Sequence, residues 1–160
     1  MDILNRSKRY VHIMTPYLIL DGEMETAIKF AAERGVEVSI ILPGVPDKLA
    51  AYSLAKSHYA ALLDAGVNIY EYVPGFIHAK SFVSDDKEGV VGTINLDYRS
   101  LYHHFECAAY CYKTSCIGDI EKDFQETLTK CKKITKKNIW ENNPNLKYIS
   151  YIAKVIAPLL

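Results

Sequence analysis

Five polar residues in the middle of the chain have the types and the spacing that phosphoryl chemistry requires. His78 and Lys80 alternate, Asp85 follows, and Thr93 and Asn95 come shortly after in the segment Gly-Thr-Ile-Asn. A neutral imidazole can attack phosphorus while an ammonium and an amide hold the non-bridging oxygens. We therefore expect His78 to react and Lys80 and Asn95 to bind a phosphate.

A reacting histidine also needs a carboxylate on its second ring nitrogen. Such a carboxylate fixes the tautomer of the imidazole and stabilises the imidazolium. The sequence offers two carboxylates for this role, Asp85 and Glu106, and the spacing leaves both open.

The elements around these residues are predicted to be strands. Residues 78–84 and 89–92 are too close together to enclose a crossover helix, so they predict an antiparallel hairpin. Alternation along the first of these strands places His78 and Lys80 on one face. A third strand is predicted over 104–112 and brings Glu106 towards the same place.

The first half of the chain has the order strand, helix, strand, helix, strand. Strands are predicted at 9–14, 36–42 and 67–72, and apolar residues recur at helical spacing over 24–32 and 48–65. This order predicts the α/β class: a mixed, mostly parallel sheet flanked by helices, as one catalytic domain over 1–137.

The last third of the chain predicts two helical segments. The stripe Ile117, Ile120, Phe124, Leu128, Cys131 and Ile134 indicates one long helix, whose solvent side and exit carry Lys130, Lys132, Lys133, Lys136 and Lys137. Residues 138–160 then form an amphipathic tail with Ile149, Ile152, Ala153 and Ile156 at helical spacing. This tail suits an anionic membrane or the surface of another protein half, and the pattern does not choose between them.

The composition excludes several classes of protein. Nineteen basic and 19 acidic residues among 160 give no net charge, which excludes a uniformly basic nucleic-acid binder. No segment is as apolar and as long as a membrane-spanning helix, and the N-terminus does not resemble a signal peptide. The four cysteines fit neither a disulfide framework nor a common zinc pattern.

The spacing of these residues resembles the signature of the phospholipase D superfamily, which is HxKxxxxD followed by G-[ST]-x-N. The flanking Pro-Gly-Phe-Ile-His-Ala-Lys, the run from Gly92 to Glu106, and Thr15-Pro16-Tyr17 are similar to the C-terminal half of the bacterial cardiolipin synthase family. The similarity extends from about Tyr10 to the end of the chain, and this sequence holds one copy of a motif that those synthases hold twice.

The resemblance implies a phosphatidyl transferase that moves a phosphatidyl group between phosphatidylglycerol molecules through a phosphohistidine. It implies His78, Lys80, Asp85 and Glu106 as the catalytic set and Lys80, Asn95 and Thr93 as phosphate ligands, with Asp85 largely supporting. It implies no metal and no other cofactor. Whether His78 is the nucleophile or the acid for the leaving group stays open, because the two roles belong to two motifs.

The resemblance also implies partners and a location. The second motif is expected from a second copy of the chain or from an N-terminal half outside this sequence. We expect a cytoplasmic protein that lies peripherally on the inner face of the cell membrane, and we do not expect nucleic acid as a partner. The alternatives are a homodimeric phosphodiesterase or nuclease of the same superfamily and a non-catalytic remnant that docks on a partner half.

The other histidines have weaker claims to chemistry. His12 in a predicted buried strand and His58 in a predicted helix are expected to be structural or to face solvent. His103 and His104, upstream of Glu106 in the predicted strand, and Arg99 are candidates for secondary contacts with the substrate.

Overall fold

The computed structural model describes residues 1–141 and 144–159 and contains one mixed sheet of seven strands in the order β6-β5-β4-β1-β2-β3-β7. The strands are β1 Tyr10–Met14, β2 Glu37–Pro43, β3 Asn68–Tyr72, β4 Ser81–Ser84, β5 Glu88–Gly92, β6 Ala108–Tyr112 and β7 Cys131–Lys133. The helices are α1 Asp2–Arg6, α2 Gly22–Glu33, α3 Leu49–Asp64, α4 Cys116–Leu128 and α5 Leu146–Ile156, with a π-helical turn at Arg99–His103.

The predicted parallel unit forms the centre of the sheet. Strand β2 pairs in parallel with β1 and with β3, and α2 and α3 make the crossovers. The carboxylate of Asp21 accepts a hydrogen bond of 2.7 Å from the Met24 N–H and so caps α2. Gly35 and Gly66, at φ of 91° and 93°, let the chain turn back into β2 and β3 directly after each helix.

Helices cover the two faces of the sheet unequally. Side chains of α1, α2 and α3 pack on one face of β1, β2 and β3, whereas Phe124 and Leu128 of α4 pack on Met14 and Ile41 of the other face. Helix α5 lies against α3, where Ala153 contacts the cluster of Ile19, Ala51 and Leu54.

The second half of the sheet is antiparallel. Strand β4 returns beside β1 with Met14 opposite Ser81, and β5 and β6 follow as hairpin partners. The predicted mixed α/β architecture is confirmed. The expectation of a mostly parallel sheet was wrong, because four of the six pairings among the described strands are antiparallel.

The predicted long helix over 117–134 was wrong at its end. Helix α4 stops at Leu128, and Cys131 to Lys133 form the edge strand β7, antiparallel to β3. Cys131 packs with Leu128 and the α4 side of the sheet, whereas Ile134 packs into the core on the opposite face. The apolar residues Cys131 and Ile134 fit a helical spacing by chance, because strand β7 and the residue after it pack them against opposite faces of the sheet. Lys132 and Lys133 lie on this edge strand, where charged side chains disfavour pairing with another chain.

No helix within residues 1–141 or 144–159 has both the length and the apolar content needed to cross a bilayer.

Candidate functional site

The candidate site lies where β1 and β5 end and β4 and β6 begin, at one end of the sheet. His78 and Lys80 precede β4 in a segment without regular structure, so the expectation that they sit within a strand was wrong. The carbonyl of Lys80 still accepts a hydrogen bond of 3.2 Å from the Gly92 N–H, which holds this segment beside β5. The His78 side chain is exposed, and its ring centre lies 5.6 Å from that of Phe76.

Lys80 turns its ammonium back towards His78. The Nζ atom donates a hydrogen bond of 2.8 Å to the carbonyl oxygen of His78. Partial burial lowers the pKa of Lys80, although the nearby carboxylates of Glu106 and Asp97 act in the opposite direction. A cation is thus held beside the motif histidine by a neutral carbonyl, a partner that an incoming anion can displace at low cost.

A close approach of two strands brings Thr93 and Glu106 together. A Cβ atom at Gly92 would lie 2.3 Å from the carbonyl oxygen of Cys107 and 2.5 Å from the Cα of Ala108, so only glycine fits there. Directly after Gly92, the Thr93 N–H donates to the Cys107 carbonyl at 2.9 Å, and the Thr93 hydroxyl donates to the carboxylate of Glu106. The glycine that opens the Gly-Thr-Ile-Asn segment therefore positions the Thr93 hydroxyl.

Glu106 is held in its ionised form. The hydrogen bond from Thr93 holds the pKa of Glu106 below its usual range, and the charge of Lys80 acts in the same direction. The Nδ1 atom of His104 lies 3.9 Å from Oε1 of the carboxylate. These neighbours place a fixed negative charge near Lys80, and the predicted hydrogen bond between Glu106 and His78 stays a prediction.

Asn95 lines a cleft of about 230 Å³ beside this cluster. Its side-chain oxygen is buried and has no hydrogen-bond partner among the described residues. The cleft is lined by Tyr17, Ile19, Lys48, Ala50, Ala51, Asn95, Asp97, Arg99 and His104. This oxygen is an acceptor, and a buried acceptor without a partner carries a free-energy cost, which a ligand that donates a hydrogen bond in the cleft would relieve.

Asp85 does not lie with the other residues of the motif. The four residues of β4 separate it from Lys80, about 15 Å at the usual rise of a strand. Its two carboxylate oxygens accept hydrogen bonds from the N–H groups of Lys8, Arg9 and Tyr10 at 2.8, 2.9 and 3.0 Å. The structure thus places Asp85 outside the candidate site, so that of the two carboxylates left open by the sequence only Glu106 lies near Lys80.

The two N-terminal histidines make packing contacts. His12 stacks on Phe124 with ring centres 4.4 Å apart, and its Nδ1 lies 2.8 Å from the carboxylate of Glu121. His58 pairs with Glu25 at 2.8 Å, and burial lowers the pKa of its imidazole. Neither residue lines the cleft.

The strand predicted over 104–112 is shorter in the structure, and a π-helical turn precedes it. Residues 99–103 form the π-helical turn, and β6 begins only at Ala108, so His103 and His104 are not strand residues. The buried carboxylate of Asp97 accepts a hydrogen bond of 2.7 Å from the Ser100 N–H and stabilises this turn. Asp97 and Ser100 were not predicted from the sequence, although an aspartate is a common cap whose carboxylate accepts from the backbone N–H three residues later.

Comparisons with known proteins identify the family of this chain. A family model described as "Cardiolipin synthase, PLD-like domain" matches residues 1–128. An uncharacterized protein of Streptococcus mutans is 59% identical over 160 residues, which are 100% of this chain and 35% of that protein. Cardiolipin synthase 1 of Staphylococcus epidermidis is 36% identical over 155 residues, 96% of this chain and 31% of the synthase. The chain thus spans about a third of the length of these relatives.

Solved structures with low sequence identity share the fold. The phospholipase D family member Nuc from Salmonella typhimurium has a TM-score of 0.73 at 15% identity, covering 84% of this chain and 88% of Nuc. Phosphatidylserine synthase from Haemophilus influenzae has a TM-score of 0.73 at 16% identity, covering 99% of this chain and 43% of the synthase. The fold of the described residues therefore occurs both as nearly a whole protein and as part of a longer one.

Proposed function

We propose, from the premise that this chain belongs to the phospholipase D superfamily as a cardiolipin synthase PLD-like domain, that it is the second catalytic half of a phosphatidyl transferase. The observation that carries the proposal is the Lys80 ammonium, which donates to the carbonyl of the exposed His78 and lies near the ionised carboxylate of Glu106. This arrangement suits a phosphodiester, whose non-bridging oxygens the Lys80 ammonium and the side-chain N–H groups of Asn95 would bind and whose phosphorus the imidazole would face.

The proposed reaction transfers a phosphatidyl group in two displacement steps. In the first, a histidine nitrogen bonds to the phosphorus of phosphatidylglycerol, the bond to the glycerol oxygen breaks, and a second histidine gives its proton to that oxygen. In the second, the second histidine removes the proton from the hydroxyl of another phosphatidylglycerol, whose oxygen displaces the histidine from phosphorus. The products are cardiolipin and glycerol, and no redox partner or cofactor enters the balance.

Each residue of the cluster has a proposed role. His78 is one of the two reacting histidines, as nucleophile or as acid, and Lys80 and Asn95 bind the non-bridging oxygens. Thr93 keeps Glu106 ionised, and Glu106 stabilises a protonated imidazole. Asp85 acts only by holding the β4–β5 hairpin in place.

The second histidine must come from another half. The curated relatives are about three times as long as this chain, so a half elsewhere in a longer protein is one source. A second copy of this chain is the other, because a twofold axis brings two copies of the same residue together. We propose that the paired enzyme acts peripherally at the cytoplasmic face of the membrane, where its lipid substrate lies.

A second candidate function is a homodimeric phosphodiesterase of the same superfamily. The fold match that covers 88% of Nuc favours it, because a chain of this size makes up nearly all of that member. The zero net charge disfavours nucleic acid as the substrate.

Glycerol release from phosphatidylglycerol in mixed micelles tests the proposal, with the wild-type chain and His78→Ala measured in parallel. We expect release by the paired form and at least about a thousandfold loss in His78→Ala, since a reacting group is removed. Lys87→Ala, which removes an exposed side chain at the far end of the β4–β5 hairpin, is the control and should release glycerol as the wild type does. Equal release by wild type and His78→Ala would remove His78 from the mechanism.

A folded chain that releases no glycerol calls for a second measurement. In that case, binding of orthovanadate is compared between wild type and Lys80→Ala, because a half-site still binds a phosphate analogue. Vanadate binding that depends on Lys80 supports a half-site. Lack of both release and binding would leave the chain as a non-catalytic remnant and contradict the proposal.

A further inference from the structure

Helix α5 is apolar on two opposite faces. Leu146, Ser150 and Ala153 are buried against the domain, with 3 to 4% of their surface exposed. The opposite face carries Tyr148, Tyr151, Ile152 and Val155, which are 71, 60, 72 and 82% exposed. We call these four residues the outer face of α5.

An exposed face of this composition indicates that another surface packs on it. A helix on the surface of a soluble domain normally presents polar residues to water, and an apolar stripe over two turns is typical of a surface that contacts something else. The four residues follow the spacing i, i+3, i+4, i+7, so they form one continuous stripe. The predicted tail face differed from this one, because it included Ala153, which packs inward, and Ile156, whose side chain lies outside the described part.

The positive charge of residues 142–160 favours a lipid surface as the partner of the outer face. Residues 142–160 contain two lysines and no aspartate or glutamate. Lys147 and Lys154 lie together on one flank of the outer face, about a quarter turn away from its centre. Tyrosines, aliphatic side chains and flanking lysines on one helix are typical of a helix in the headgroup layer of an anionic bilayer.

The position of α5 agrees with this partner. Ala153 packs against Ile19 and Ala51, and these two residues also line the cleft that contains Asn95. The carbonyl of Pro158, just after α5, lies 3.3 Å from Nε2 of His103 in the π-helical turn. Helix α5 therefore packs on residues that line one side of the cleft, although no α5 residue lines the cleft itself.

We propose that the outer face of α5 docks the protein on an anionic membrane and so brings the cleft to the level of the lipid phosphates. The inference rests on the proposed function, which gives the reason for a cleft at a membrane. Docking itself does not require turnover. The apolar side chains enter the acyl boundary, and Lys147 and Lys154 contact the headgroups.

Sedimentation of the whole 160-residue chain with large unilamellar vesicles tests the docking. Vesicles of phosphatidylglycerol and phosphatidylcholine in equal parts are compared with phosphatidylcholine alone, and a sample without vesicles corrects for aggregation. We expect binding to the anionic vesicles, at least about tenfold weaker binding to the neutral ones, and a marked decrease in high salt.

Variants of exposed residues separate docking from folding. The double variant Ile152→Glu with Val155→Glu should bind anionic vesicles at least about tenfold more weakly. Phe30→Glu is the matched control, because Phe30 is an apolar residue that is 54% exposed on α2. Its binding should stay within about twofold of wild type, and the thermal midpoints of all three proteins should agree, since only exposed side chains change. Lys147→Gln with Lys154→Gln should weaken binding by roughly tenfold.

Three results would overturn the docking proposal. The first is a wild-type chain that does not sediment with anionic vesicles, and the second is a double variant that sediments as the wild type does. The third is a wild-type dimer in sedimentation velocity that the double variant abolishes while vesicle binding is unchanged, which would assign the outer face to a protein partner. His78→Ala should bind vesicles as the wild type does, so loss of glycerol release with intact binding counts against the proposed function alone.

Discussion

The two ends of the β4–β5 hairpin carry residues of one sequence motif in opposite physical situations. At the open end, Lys80 is held by a neutral carbonyl and Asn95 keeps a buried oxygen without a described partner. At the turn, Asp85 uses both carboxylate oxygens on three backbone N–H groups. Polar groups at the open end are available to a ligand, whereas the carboxylate oxygens of Asp85 already accept hydrogen bonds from the backbone. The spacing of the motif therefore has two causes: some of its residues are placed to bind a ligand, and Asp85 is placed to hold the hairpin to the N-terminal segment.

Two lysines, one at each end of the hairpin, provide the strongest test of this difference. Lys80→Ala should lower kcat/KM for glycerol release by about a hundredfold or more, roughly 3 kcal/mol, because a charge on the transferred phosphate is lost. Lys87→Ala removes an exposed lysine from the turn and should change kcat/KM by less than about twofold. Similar losses in the two variants would mean that the ends of the hairpin are not distinct.

Asp85→Asn should affect stability rather than turnover. Asparagine tolerates the left-handed backbone at position 85, where φ is 55°, but it loses the charge and one acceptor oxygen. We expect the free energy of unfolding in urea to fall by about 1–2 kcal/mol at pH 7, with kcat unchanged. Asp86→Asn is the control, because Asp86 makes only exposed contacts with Arg9 and Tyr10, and it should cost less than about 1 kcal/mol. A loss of kcat in folded Asp85→Asn would mean that Asp85 contributes to catalysis and not only to stability.

The effect of Asp85→Asn should disappear in acid. Burial alone would raise the pKa of Asp85, but the N–H groups of Tyr10, Lys8 and Arg9 outweigh burial and hold its pKa below the usual range. A carboxyl with a lowered pKa stabilises the folded state above about pH 4, the value for an unfolded chain, and loses that contribution as the pH falls through its folded pKa. The difference in unfolding free energy between wild type and Asp85→Asn should therefore stay constant from pH 7 to about pH 5 and shrink as the pH falls below about 4. A difference that does not shrink in acid would mean that the charge of Asp85 is not what stabilises the turn.

The smallest expected effect is a shift in a pH profile at the open end. Thr93→Val removes the hydroxyl that donates to Glu106, so the pKa of Glu106 should rise. If the ionised carboxylate is needed, the acidic limb of kcat/KM for glycerol release moves to higher pH in Thr93→Val. Thr93→Ser keeps the hydroxyl and should retain the wild-type profile. If the acidic limb of the kcat/KM profile of Thr93→Val does not move, the ionisation of Glu106 does not control the rate.

Local signals in the sequence were enough to predict the parallel half of the fold. Gly35 and Gly66 ended two helices where the spacing of apolar residues ended, and each following strand is buried by its neighbours. Strand β7 was missed because a three-residue edge strand is defined by pairing with β3, a non-local contact that leaves little trace in local periodicity.

At the candidate site, the sequence predicted residue types better than backbone. Alternation at His78 and Lys80 indicated a strand, but the ladder of β4 begins at Ser81. The strand predicted from residue 104 begins only at Ala108, because the His104 N–H bonds the Arg99 carbonyl of the π-helical turn, a local contact that competes with sheet pairing. The contact of Thr93 with Glu106 depends on the close approach at Gly92, which appears only once β5 and β6 pair.

The hydrogen bonds of Asp85 also bear on the order in which the chain folds. They join residues 75 to 77 positions apart in sequence, so they close a long loop and gain nothing until that loop is closed. The intervening segment contains β2, α3 and β3, whose contacts are more local and whose residues leave the ribosome first. We expect the parallel unit to form early and the hairpin to dock late. The residues proposed for catalysis would then reach their positions in one of the last steps of folding, after most of the core is in place.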